Sequence, residues 1–212
     1  MTRSLIKALA LLSLIVAAPL SAQETCLPDC QQSPWGGLQH RIVVLPNGCQ
    51  ITVDYFTRCA CNTYNDIFVH SVSPVNGDPD CSFLTTLPIS QILDMATEQL
   101  LEGSPFDFPP PCKDDLAEGQ CSTRWRVVKG SCWSRIFLGP IGPGGYEYYE
   151  GCSQTVCCLK PYEVCRTNCG RTSKPLPWQS YGSCPNAVPK YPPPVGGACE
   201  PVCNEGGTAG VP

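Results

Sequence analysis

The residues with the most chemistry open to them are seventeen cysteines. They are Cys26, Cys30, Cys49, Cys59, Cys61, Cys81, Cys112, Cys121, Cys132, Cys152, Cys157, Cys158, Cys165, Cys169, Cys184, Cys199 and Cys203. Such a set can ligate a soft metal, supply a nucleophile or form disulfides, and spacing discriminates among these. Zinc sites favour Cys-x2-Cys knuckles or Cys/His pairs. No Cys-x2-Cys occurs, and the two histidines, His40 and His70, lack ligand spacing. The segment Asn76-Gly77-Asp78-Pro79-Asp80 alternates oxygens, but its glycine is misplaced for a calcium loop, and Leu87 stands where the bidentate glutamate belongs. It reads as a polar turn closed by Cys81. No metal and no other cofactor is expected.

Disulfides are therefore the expected state, and spacing constrains them. Cys59 and Cys61 would share one face of a strand. Cys157 and Cys158 would face opposite ways, and a bond between adjacent cysteines is strained. Each of these four is expected to bond elsewhere. The Cys26/Cys30, Cys165/Cys169 and Cys199/Cys203 steps would allow local bridges in a helical turn or tight loop. The overall connectivity stays open. Because seventeen is odd, one cysteine must be free or bonded to another molecule, which allows a disulfide-linked oligomer.

Motifs for catalysis are missing. There is no Gly-x-Ser-x-Gly, no His-Glu-x-x-His and no phosphate loop. Asp66 and His70 would meet only on a helix, and their segment reads as strand. Aromatic residues concentrate late in the chain, at Trp125, Trp133, Tyr146, Tyr148 and Tyr149, with Tyr162 nearby. The first five are the candidate ligand-binding residues, as a platform for a protein or carbohydrate partner. The competing reading makes them the core of a lobe short of aliphatic side chains.

Residues 1–22 carry Arg3 and Lys7 ahead of an apolar run at 8–18, then Pro19 and a small residue, Ala22. This reads as a secretory signal peptide, the run being too short to span a membrane. The expected location is secreted or extracellular, or periplasmic in a bacterium, with no membrane span. Formal net charge is −4 and becomes more negative when Arg3 and Lys7 leave. An acidic chain is a poor nucleic-acid binder, so no nucleic-acid partner is expected. Residues 23–111 hold ten acids against two bases, whereas 112–203 hold seven against ten. The two halves, or two copies, could attract each other. The competing reading is two solvated surfaces.

The elements that must position these residues follow from local pattern. The strands 40–45 and 49–57 flank Pro46-Asn47-Gly48 and read as a hairpin. A third strand at 66–72 makes a meander. Ile89, Ile92, Leu93, Ala96 and Leu100 recur at helical spacing over 88–102. Pro88 and Gly103 suit the ends of that helix. Prolines over 104–111 read as a stiff linker. Beyond it, 124–128 and 131–136 read as another hairpin about Lys129-Gly130. Strands are expected at 146–149, 155–159 and 162–165.

The expected fold is β-rich, a small α+β protein. It comprises two disulfide-stapled antiparallel β-meander lobes, one amphipathic helix over 88–102, and long Pro/Gly loops. The divisions are a signal peptide at 1–22, an acidic meander-plus-helix lobe at 23–103, a linker at 104–111, a Cys/aromatic-rich lobe at 112–190 and a Pro/Gly-rich tail at 191–212. The function expected is that of a secreted, non-catalytic structural or interaction protein of a surface, matrix or adhesive layer. A small extracellular hydrolase is the alternative, and a secreted inhibitor or toxin-like binder the third.

Overall fold

The computed structural model describes residues 30, 33–75, 79–102, 110–112, 116–138, 146–152, 156–181 and 199–203. The leader at 1–22, most of the linker at 104–111, the turn residues 76–78, Cys26, Cys184 and the tail segments 191–198 and 204–212 lie outside the described residues.

Three strands open the fold: β1 (Gln39–Val44), β2 (Gln50–Ala60) and β3 (Tyr64–Pro74). They form the expected antiparallel meander. Gly48 takes a φ of 97° in the first turn, a conformation that favours glycine. Asn47 Nδ2 donates to the Asp80 carbonyl (3.0 Å), and Cys49 bonds Cys81, so this turn is tied to a short 3-10 helix at Pro79–Thr86.

Next comes α1 (Ile89–Glu102), where the apolar periodicity predicts it. The Pro88 carbonyl accepts the amides of Gln91 and Ile92 and closes its first turn. Ile89, Ile92, Leu93, Ala96, Leu100 and Leu101 are buried against one face of the sheet. Full burial of each large aliphatic side chain is worth about 1.5–3 kcal/mol.

The rest is strand: β4 (Cys121–Gly130), β5 (Cys132–Leu138), β6 (Tyr146–Gly151), β7 (Cys157–Thr167), β8 (Gly170–Pro175), β9 (Gln179–Tyr181) and β10 (Glu200–Pro201). All ten strands belong to one sheet. The fold is thus β-rich with a small helical part.

Two strands fork that sheet. β3 pairs β2 on one side. On its other side it pairs β4 in parallel over Asn65–Val69, then β6 at Ser71 and Val72. β7 pairs β4 on one side, then β9 and β8 in succession on the other. Pro161 falls in the gap between the last two, where an amide hydrogen has no ladder to join.

Several expectations change accordingly. The stretches 124–128 and 131–136 do not form a hairpin. β4 already has β3 and β7 on its two sides, so β5 turns away at Ser131 to pair β6 and β10. The expected strands at 155–159 and 162–165 are parts of the single strand β7. The segments 23–103 and 112–190 do not keep separate cores. One apolar cluster joins Ile51, Val53, Ile67 and α1 to Trp125, Val127, Tyr149 and Val164. Part of the expected tail is also built in, since β10 joins the sheet and Val202 is buried.

The uneven charge is used internally. Asp66 and Asp94, from the acidic half, pair with Arg126, Lys129 and Lys160 from the basic half.

Candidate functional site

Alternation along β4 turns Trp125, Val127 and Lys129 toward α1, and along β7 it turns Cys158, Lys160, Tyr162 and Val164 the same way. Val127 opposes Lys160 in the ladder and Lys129 opposes Cys158, so the two lysines are diagonal neighbours. Both reach Asp94 on α1. Lys129 Nζ donates to Asp94 Oδ1 at 2.9 Å, and Lys160 Nζ donates to Oδ2 at 3.0 Å. Trp178, in the connection from β8 to β9, covers the pair. Its ring centre lies 4.5 Å from Lys129 Nζ and 4.8 Å from Lys160 Nζ.

The site is dry on its inner side. The Lys129 side chain is 1% exposed, that of Lys160 9% and that of Asp94 25%. Burial lowers the Lys129 pKa from 10.5 to about 8, against the opposing pull of the Asp94 carboxylate. Glu98 lies one helical turn beyond Asp94. Burial raises its carboxyl pKa above the ordinary value, in part offset by Lys160 and reinforced by Asp94. Burial also pushes the Tyr162 phenol up, helped by the charges of Asp94 and Glu98, and its hydroxyl has no hydrogen-bond partner. Two amines thus lie against one indole ring and share the Asp94 carboxylate, with Glu98 and Tyr162 near enough to feel their charge.

A second charged cluster lies on the opposite face. Asp66 is fully buried and accepts from Arg58 Nε (3.0 Å), Arg126 Nε (2.6 Å) and Arg126 Nη2 (2.9 Å). Arg58 stacks on Trp35 and Arg126 on Tyr64. Arg58 Nη1 also donates to the carbonyls of Cys30 and Ser33, which fixes the segment before β1. Bidentate guanidinium pairing of this kind holds geometry.

A third group joins His40 Nδ1 to Asp54 Oδ1 (2.6 Å) and Ser71 Oγ to Asp54 Oδ2 (2.7 Å). The serine hydroxyl donates to the carboxylate rather than to the imidazole. This differs from a nucleophile–base pair, in which the base holds the hydroxyl.

The expected aromatic platform is not assembled. Trp125, Trp133 and Tyr149 are fully buried. Trp133 Nε1 donates to the Gly130 carbonyl (2.9 Å), Trp125 lies under Arg171, and Tyr149 lies under Arg135. In a chain poor in aliphatic residues these rings fill the core. Tyr148 is half-buried, and the Tyr146 side chain lies outside the described residues.

Six disulfides are defined, and none is local: Cys30–Cys61, Cys49–Cys81, Cys59–Cys112, Cys121–Cys165, Cys152–Cys199 and Cys158–Cys203. Cys132 and Cys157 are also disulfide-bonded. The Cys-x3-Cys steps do not close on themselves: Cys30 bonds Cys61, Cys165 bonds Cys121, Cys199 bonds Cys152 and Cys203 bonds Cys158. Cys165 lies within β7 facing Cys121 across the ladder, and Cys169 lies in the following turn. Cys169 is exposed and is the one free thiol among the described residues. No group of three or more metal-ligating side chains occurs among the described residues. The disulfides fit an extracellular or oxidising compartment. No helix among the described residues is long and apolar enough to cross a membrane.

Lys129, Lys160, Asp94 and Trp178 were not among the residues the sequence singled out. A signal was present, because lysine replaces an apolar residue at an inward position of both β4 and β7. In comparisons with known proteins, no family model, no curated protein and no solved structure matches the chain.

Proposed function

We propose that the protein is a secreted, non-catalytic structural or interaction module whose working property is a covalently locked sheet. The observation that carries this reading is the reach of its disulfides. The six defined bonds join residues 31 to 53 positions apart. Closing loops of that length stabilises the fold by about 3–4 kcal/mol per bond in the chain-entropy description. They also fasten Cys30 before β1 and residues 199–203 at β10 to the rest of the fold. A protein built this way suits a surface, matrix or adhesive layer, where proteases are present and thiols stay oxidised.

The edge strand β1 supports a protein partner. Ile42 and Val44 are exposed along it, and among the described residues it pairs only with β2. Exposed edges of this kind accept an added strand. Cys169 is the position at which a second molecule would be joined covalently.

The test is resistance to a broad-specificity protease, with disulfides intact and after reduction and alkylation at the same pH. The reading predicts that the oxidised protein survives at least about tenfold longer, the difference being worth several kcal/mol. Equal half-lives would overturn it.

A further inference from the structure

Lys129 and Asp94 are poorly explained as a simple ion pair. A buried ammonium with one carboxylate partner costs several kcal/mol in desolvation. Here a second ammonium, Lys160, shares that same carboxylate. Stability alone would be served as well by apolar side chains in this core. The arrangement instead resembles reactants held for condensation. The amine nitrogen is held by a hydrogen bond 2.9 Å from an oxygen of the carboxyl group it would join, and holding two reactants together converts a bimolecular step into a unimolecular one.

We propose that Lys129 and Asp94 join in an intramolecular isopeptide bond that the folded protein forms by itself, with Glu98 as the proton carrier. In its neutral form, Lys129 Nζ attacks Cγ of the Asp94 carboxylate and a C–N bond forms. Lys160 Nζ, 3.0 Å from Oδ2, stabilises the negative charge that develops on that oxygen. The protonated Glu98 carboxyl gives its proton to the departing oxygen, then takes one from the nitrogen and passes it to the same oxygen, so Glu98 ends as a carboxylate. The C–O bond breaks and one water leaves. Nothing is oxidised or reduced, and no co-reactant is consumed.

The surroundings suit each role. Burial favours the neutral, nucleophilic form of Lys129. It also favours the protonated form of Glu98. Trp178 closes the outer side over both amines, which limits the return of water to the amide. Lys160 is the more exposed of the two lysines and stays beside Oδ2. The product would tie the middle of α1 to β4, a link that no defined disulfide makes. It stands independently of the role proposed above.

The experiment is intact mass of the full-length secreted protein after complete reduction and alkylation of its cysteines, with peptide mapping of the same sample. The expected result is a mass lower than that of the processed sequence by one water, and a peptide containing Asp94 covalently joined to one containing Lys129. Glu98→Gln is expected to restore the full mass in a protein that still folds and forms its disulfides. A full-mass wild-type protein whose Lys129 reacts with an amine reagent once denatured would overturn the proposal. A deficit that persists in Glu98→Gln would overturn the role of Glu98.

Discussion

At the scale of single residues, the chemistry of the sheet–helix interface depends on where two protons sit. The reactive state pairs a neutral Lys129 amine with a protonated Glu98 carboxyl. It holds as many protons as the state with charged amine and carboxylate, so the two are tautomers. Its population is level between the two pKa values and falls on either side. The upper value belongs to Lys129, lowered to about 8 chiefly by burial, and the lower to Glu98, raised above 4.5 chiefly by burial. Cross-link formation in protein produced unfolded and then folded at set pH should therefore be level from the raised Glu98 pKa up to about pH 8. Above that it should fall by about tenfold per pH unit. The loss of one water, followed by mass at fixed times, measures it. A rate that rises steadily through pH 9 would show that no protonated partner is required.

Little of this site was legible in the sequence. Asp94 and Glu98 stand one turn apart on the predicted helix, but nothing local says which strands lie beneath them. Lys129 was read as part of a hairpin turn, because Lys-Gly between two apolar runs is ordinary turn chemistry. It is a strand residue, since β4 continues through Gly130 between β3 and β7. The aromatic residues misled in the opposite sense, because ring-rich strands look alike whether they face solvent or a core.

At the scale of elements, α1 is the best-determined part of the fold. Its periodicity, its proline start and its buried face are all local properties, and all are met. Its inner face covers β1, β2 and β3 as well as residues of β4 and β7, so one helix seals both halves of the chain. Replacing Leu100 by Ala, at a fully buried position, should cost about 2–5 kcal/mol. Chemical denaturation of the oxidised protein would read this as a lower midpoint with an unchanged slope. A change below about 0.5 kcal/mol, the range of surface substitutions, would mean that α1 does not pack there.

The first meander was equally legible, since turn chemistry and alternation specify neighbouring antiparallel strands. The parallel β3–β4 pair was not. Its partners are joined through 75–120, and parallel pairing leaves no turn signature. The fork in β3 was hidden as well, since it divides one edge between β4 and β6, both distant in sequence, whereas the fork in β7 divides an edge between the consecutive strands β8 and β9.

At the scale of the whole molecule, covalent closure substitutes for a larger core. Leu, Ile and Val are scarce, and the strands β9 and β10 are short. Disulfides hold what burial cannot. Cys59–Cys112 draws the chain beyond α1 back to β2, while Cys152–Cys199 and Cys158–Cys203 fasten the segment around β10. Charge acts in the same direction, through Asp66 with Arg126 and Asp94 with two lysines across the halves. The cysteine count pointed to staples, but their partners depend on strand order, which the spacing of cysteines does not encode.

The most direct test of the locked sheet is peptide mapping of the secreted protein without reduction, with free thiols blocked at once by alkylation. It should yield linked peptides for Cys30–Cys61, Cys49–Cys81, Cys59–Cys112, Cys121–Cys165, Cys152–Cys199 and Cys158–Cys203, with Cys169 outside all of these pairs. Local pairs such as Cys165–Cys169 or Cys199–Cys203, or free thiols at the positions of these six pairs, would contradict it.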